Sequence, residues 1–346
     1  MASANVARAL KSGTDDRSLA ATFFEKEVLI AFRTGTIFYN MLDLVVAHRM
    51  VTEGKSWKWP LLGDAPSSEY HTPGAELLGQ AQSASEVTVN IDDELLQHRH
   101  VPSIDVSLSH WDIIGTFARD MGTRLSIELD TKVIRMLIKA ARTAASSGFH
   151  SGGNLVARTG AGDDYSNTNV YPTTTTGSTN YRDDAAQLAQ LMDEDNVPRE
   201  GRYLVIPPYI QRVLTKDTTL FSRDYQLDGD NVLNKRVIGM MEGFRIFVSP
   251  NFPAESNITG DSPPSDSTKY DVDNRYDVAS NGQVAGIAFC AGPAGQAVAM
   301  VEQSPGMETI IEKDNQRRTV FMSAAMLYGL GVWKPWCAGV IQGRDS

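Results

Sequence analysis

Cysteine is nearly missing from this 346-residue chain, with Cys290 and Cys337 the two present. That scarcity excludes a disulfide framework and a four-cysteine zinc site, and the expectation is two buried free thiols. Positive charge is also short, 32 Lys plus Arg against 42 Asp plus Glu for a net charge of -10. A wrapper that neutralises phosphates would need the opposite balance, so any nucleic acid nearby is expected to be enclosed and not gripped. No continuous apolar core of signal-peptide length occurs in Met1 to Asp16. The most apolar twenty-residue window, Val28 to Ala47, is broken by Arg33, Asn40 and Asp43, each costly in hydrocarbon. No transmembrane span is expected, and synthesis and folding in a cytoplasm follow.

Motifs for chemistry are equally sparse. Gly54-Lys55-Ser56 has the tail of a phosphate-binding loop, but Arg49 stands where its first glycine belongs, so a hairpin turn accounts for it better. His98 and His100 lie two apart on an expected strand, on one face, without an evident third metal ligand. Asp271, Asp273 and Asp277 echo a calcium loop, yet Arg275 occupies a ligand position and the sixth place lacks glycine. Asn257-Ile258-Thr259 fits a glycosylation acceptor but carries no weight without a secretory signal. No Gly-x-Ser-x-Gly elbow or other local arrangement singles out a nucleophile. Neither catalytic residue, cofactor nor metal is expected.

What is present is the composition of an ordinary folded protein, 42% hydrophobic and 21% charged, sufficient for one or two cores. Leu19 to Phe32 carries an imperfect helical period. After a turn at Glu53-Gly54-Lys55, Trp57 and Trp59 alternate with Ser56 and Lys58, so both indoles share one side of a strand. The alternation returns at Val87 to Ile91, and Pro60, Gly63, Pro66, Pro73, Gly74 and Gly79 lie between the legs. This is an extended hairpin too long to bury its own faces.

The strongest periodicity begins at Ser109, an N-cap candidate with Asp112 three positions on. Ile113, Phe117, Met121, Leu125, Leu129 and Val133 then recur every fourth residue, and Leu137 and Ala141 extend the stripe until Ser146-Ser147-Gly148. A helix of about 35 residues spans about 50 Å, a spine for a flat domain. Gly152 to Asn180 reads as a loop or crossover because Gly, Thr, Ser, Asn and Asp dominate it. Beyond it come a short helix around Ala185 to Met192, a strand at Tyr203 to Ile206 and a proline-opened helix at Pro208 to Leu214. A strand follows at Phe244 to Val248, then an exposed insertion from Pro250 to Gly282. Ile310-Ile311, Thr319 to Met322, Met326 to Val332 and Gly339 to Ile341 read as closing β structure. The class is α+β, without internal repeats.

Three segments carry a family likeness. Asn196-Val197-Pro198-Arg199-Glu200-Gly201-Arg202 with Tyr203 to Tyr209 is the first. The second is Gly239 with Gly243-Phe244-Arg245-Ile246-Phe247-Val248-Ser249-Pro250-Asn251-Phe252-Pro253, and the third is Tyr328-Gly329-Leu330-Gly331-Val332 with Pro335 and Ala338-Gly339-Val340. In order and spacing they resemble the signatures of major capsid proteins of tailed bacteriophages, in the short-tailed branch. Phe24 to Phe32 and Gly54 to Gly63 are similar to that family's N-terminal helix and extended loop, whereas 152–180 and 254–282 diverge.

The resemblance implies an HK97-like fold with an N-terminal arm (1–46), an extended loop (47–95) and a peripheral domain with the spine helix (96–180). An axial domain (181–300) and closing strands shared by both domains (301–346) complete it. It implies a head protein that self-assembles through hexamers and pentamers into an icosahedral shell around double-stranded DNA. Scaffolding and portal proteins, and a decoration protein, are the implied partners, in a virion assembled in the bacterial host's cytoplasm. Lys55, Trp57, Trp59 and Pro60 are the expected subunit-interface residues, aromatics being favoured in interface cores. Some relatives cross-link Lys to Asn between subunits. Lys55 and Lys58 lie in the right loop, but the short-tailed branch usually lacks that chemistry and none is expected. The alternatives are an encapsulin-like cargo compartment, which shares the fold, and a small two-domain enzyme.

Overall fold

The computed structural model describes residues 24–32, 45–74, 76–91, 94–108, 112–146, 151–158, 175–215, 239–252, 284–314 and 317–343. Two main sheets share one continuous core with a long helix, and a two-stranded hairpin projects from it.

The long helix runs Ile113–Ala141, 29 residues and therefore about 43 Å. It begins one turn later than the capping-box reading placed it. Asp112 is itself the N-cap, its Oδ1 accepting the Gly115 N–H at 3.0 Å; Ser109 lies outside the described residues. It also stops before Ser146, with Arg142 as C-cap, because the chain turns back at once. Gly153 N–H donates to Thr143 O at 2.8 Å, and the next residues enter a strand. The stripe from Met121 through Leu125 and Leu129 to Val133 is buried as the fourfold period requires. From Val133 to Ala141 all residues but Lys139 are buried, so this end is enclosed on nearly every side. Residues 24–32 form the N-terminal helix, with Phe24, Val28 and Phe32 turned inward.

The four-stranded sheet has the order β1 (Val46–Val51), β10 (Val298–Asp314), β11 (Thr319–Val332) and β4 (Leu95–Pro102). Its register puts Val101, Met322, Ala324 and Met326 on the core side. His98 and His100 share the opposite, exposed side, as their spacing dictates, and the His100 ring sits 4.7 Å from that of Phe321. The two closing segments expected at Thr319 to Met322 and Met326 to Val332 are one unbroken 14-residue strand.

The six-stranded sheet has the order β5 (Asn154–Arg158), β12 (Ala338–Gly343), β9 (Val284–Cys290), β6 (Arg202–Ile206), β8 (Phe244–Val248) and β7 (Met240–Met241). β9 is buried at all seven positions, as its central place demands. Two readings of the polar stretch 152–180 need correction. Asn154–Arg158 is an edge strand parallel to β12, and a helix of 20 residues, Thr175–Glu194, already starts inside the stretch. Strand pairing supplied order where side-chain pattern signalled none. The 254–282 insertion lies outside the described residues.

The hairpin pairs β2 (Ser56–Leu62) with β3 (Ala84–Asn90), Trp57 opposite Val89 and Trp59 opposite Val87. No helix among the described residues is long and apolar enough to cross a membrane.

Candidate functional site

The hairpin divides into a seated base and an outlying tip. At the base, Trp59 is 8% exposed and packs with Ala47, Val51, Val89, Ile91, Ala299 and Val301 in a second apolar cluster. Trp333 closes it, its Nε1–H donating to Pro60 O at 3.2 Å. Trp57, two residues back on the same face, is 37% exposed with the Arg49 guanidinium 4.7 Å above its ring. Lys55 and Pro60 are exposed. Lys58 Nζ pairs with the Glu86 carboxylate across the hairpin at 2.7 Å, in solvent. Of the four residues expected at a subunit contact, Trp59 therefore has its face covered by its own chain, and the other three remain open.

Beyond Pro60 the described residues of the tip are nearly all exposed, Gly63 excepted. Leu62 (64%), Tyr70 (105%), Leu77 (80%) and Leu78 (81%) hold their apolar surface in solvent. Sequence reading missed them because a Pro- and Gly-rich connection has no period. The available signal was the presence of large apolar residues where turns are normally polar.

The three signature segments each fix a junction. In the first, the helix Thr175–Glu194 ends in a left-handed Asn196 (φ 56°), and Val197 N–H reaches back to Met192 O at 3.0 Å. Arg202 then folds under the turn, 4% exposed. Its guanidinium donates to Pro198 O (3.0 Å), Val197 O (2.6 Å) and Ala189 O (3.4 Å) and pairs with Asp193 at 2.7 Å. Arg199 binds the other oxygen of Asp193 at 2.8 Å from the exposed side. Burial pushes the Asp193 carboxyl up, but the hydrogen bonds from Arg202 and Arg199 outweigh that and hold it below the usual carboxylate range. Gly201 takes φ +80°, a backbone other residues adopt only with strain, and its carbonyl accepts the Ala291 N–H at 2.8 Å. The motif thus couples a helix end to β6 and β9.

The second signature leads β8 to the long helix. Ser249 Oγ accepts the Asn251 N–H at 3.1 Å, while Thr131 Oγ1 donates to Asn251 O at 3.4 Å, tying the turn to the helix. In the third, Gly329 and Gly331 lie where β3 crosses β11, Asn90 over the first and Val89 over the second. The Tyr-Gly-x-Gly pattern is the seat of the hairpin.

Among the described residues no group of three or more His, Cys, Asp or Glu side chains is arranged to hold a metal ion. The arrangement is one of hydrogen-bonded junctions and a limb that carries four exposed large apolar side chains.

Comparison with known proteins agrees. No curated protein sequence matches the chain. The capsid structure of the cyanophage P-SCSP1u matches with a TM-score of 0.72 and 26% identity, over 99% of this chain and 100% of that one. The mature capsid of bacteriophage PhiM1 matches at 0.67 and 15%, over 100% and 92%. Mycobacterium phage Che8 matches at 0.56 and 18%, over 99% and 95%, and like PhiM1 speaks for the fold alone. The fold is HK97-like. Residues 62–342 match the sequence model of the Gp10A-like family, described as major capsid protein. Helix spine, two sheets, projecting hairpin and signature junctions thus converge with that match, and the chain belongs to the Gp10A-like major capsid proteins, structural subunits of the virion that assemble with copies of themselves.

Proposed function

We propose that this capsid protein closes an icosahedral shell of hexamers and pentamers around double-stranded DNA, and that the hairpin is the limb by which one copy grips the next. The observation that carries the reading is the tip, where Leu62, Tyr70, Leu77 and Leu78 stand in water on a limb too narrow to cover them. Burying such area is favourable by about 25 cal/mol per Å², and in a closed ring the next copy is the surface available. Lys55, Trp57 and Pro60 extend this contact along the open side of the hairpin. Trp59 belongs to it through its neighbours, holding the limb at a fixed angle to the body.

The domain division follows from the same reading: arm 1–46, extended loop 47–95, peripheral domain 96–180, axial domain 181–300, and closing strands 301–346 joining both. A net charge of -10 keeps packaged DNA from adhering to the wall. Assembly takes place in the host cytoplasm with scaffolding and portal proteins, and a decoration protein adds to the outside. The subunit is structural and not an enzyme. Lys55 and Lys58 form no covalent bond to a neighbour, so denaturing gels of particles give a single monomer band.

The test is electron microscopy of the full chain expressed with a scaffolding partner. Closed shells with the tip buried against an adjacent subunit are expected, and a Leu77→Lys, Leu78→Lys double variant yields folded subunits without shells. Discrete small oligomers, or shells whose tips remain in solvent, would overturn the reading. Protein cargo in place of DNA inside phage-derived particles would point to an encapsulin-like compartment.

A further inference from the structure

We propose that Cys290 and Cys337 are a latent disulfide pair that clamps the neck between the two sheets once the protein leaves a reducing compartment. The β10–β11 ribbon departs from the six-stranded sheet after Cys290, the last residue of β9, and returns through Pro335–Cys337 into β12. At this neck Ala297 O accepts both the Trp333 N–H (2.9 Å) and the Lys334 N–H (3.1 Å), drawing the outgoing and incoming strands together.

The antiparallel register of β9 and β12 pairs Phe289 with Ala338 and Ala288 with Gly339. The ladder ends on the first of these pairs, and each cysteine is bonded to one member of it, Cys290 following Phe289 on β9 and Cys337 closing the short turn Pro335–Cys337 before Ala338. A disulfide spans Cα atoms about 4.4–6.8 Å apart, and closing it here needs the ladder's own pairing carried one residue beyond its last pair. The sulfurs share surroundings as well. Cys337 Sγ lies 3.9 Å from Ala294 O, and Cys290 Sγ is the atom closest to where a side chain on Gly295 would begin. Both thiols are buried, at 0% and 1% exposure.

Their environments set the order of events. Burial raises both thiols. The Arg202 cation partly offsets this at Cys290, whereas Cys337, with Cys290 and Asp195 adding to the burial effect, is pushed up to about 12 despite Lys334. Cys290 is therefore the first nucleophile. With a peroxide as oxidant, the Cys290 thiol gives up its proton, the thiolate attacks one oxygen, the O–O bond breaks, and the departing hydroxide takes that proton, leaving sulfenic acid and water. The Cys337 sulfur then attacks the Cys290 sulfur. The S–S bond forms, the S–O bond breaks, and the departing hydroxide takes the Cys337 proton as water. Each thiol loses one electron and the peroxide gains both. Burial makes the reaction slow, which leaves the neck unclamped during assembly in a reducing cytoplasm and lets it close afterwards. The chemistry lies within one subunit and stands apart from the shell-forming role.

The test uses purified particles of the full chain incubated with hydrogen peroxide and denatured in acid. Mass spectrometry is expected to show the loss of two hydrogens per subunit and a linked Cys290–Cys337 peptide in non-reducing digests, both reversed by a phosphine. The melting temperature of the oxidised particles rises by about 5 °C. Cys337→Ala and, separately, Cys290→Ala abolish the linked peptide and the rise, so one variant suffices if the other fails to fold. Two thiols still titratable in denaturant after oxidation, or independent over-oxidation of each cysteine without a link, would overturn the proposal.

Discussion

Gly329 lies directly beneath the backbone carbonyl of Asn90, so closely that a methyl group at 329 would occupy the carbonyl's place. The base of the projecting hairpin rests on β11 at this point, and its seat is made of backbone. Gly329→Ala must push β3 off the sheet and loosen the cluster around Trp59. Overpacking of this kind costs about 1–3 kcal/mol. Chemical denaturation of unassembled subunits reads the loss, and with the hairpin as the proposed limb between copies, shell closure is expected to fail before the subunit unfolds.

Trp57 and Trp59 share one face of one strand and separate by burial. Trp59→Ala empties a packed site and is expected to destabilise the subunit by about 3–5 kcal/mol. Trp57→Ala removes an exposed cation–π contact with Arg49, worth about 0.5–1 kcal/mol, and leaves the fold intact. Comparing subunit stability with particle yield distinguishes them. Trp57→Ala lowers yield with a stability loss of no more than about 1 kcal/mol, and equal unfolding midpoints for the two variants would contradict this division.

Arg202 and Arg199 bind the same carboxylate with unequal consequences. Arg202→Met leaves the Ala189, Val197 and Pro198 carbonyls without their donor beneath the turn and Asp193 with Arg199 alone, an expected loss of about 1–3 kcal/mol. Arg199→Met breaks a surface pair and costs about 1 kcal/mol or less. Urea unfolding of each variant measures the contrast.

The same carboxylate gives the pH dependence. Its folded pKa is depressed, so its contribution is fully present above the unfolded value near 3.8 and is lost as pH falls through the lower folded value. The stability gap between wild type and Asp193→Asn is therefore constant at neutral pH and narrows below about pH 4. A gap that widened in acid would contradict this sign.

Asp112→Ala removes the acceptor for the Gly115 N–H at the start of the spine helix. The expected cost is about 1 kcal/mol, visible as a lower midpoint with an unchanged slope in urea.

The sequence by itself determined the features that repeat locally: the fourfold apolar stripe of the spine helix, the alternating legs of the hairpin, the proline-opened helix at Pro208 and the side of β4 on which His98 and His100 lie. Each follows from a period of 3.6 or 2 and from a side chain's own covalent geometry. Tertiary structure decided what those periods do not encode. Asn154–Arg158 is a strand because β12 offers it an edge, and Trp59 is buried while Trp57 is not because the apolar side chains of Ala47, Val51, Ala299 and Val301 pack with the first, whereas β1 presents only the Arg49 guanidinium to the second. The glycines of the third signature were visible as letters, but their purpose depends on a strand more than 200 positions away crossing over them. Close approach between distant segments has no local pattern, so the seat of the hairpin emerged only when the sheets were in place.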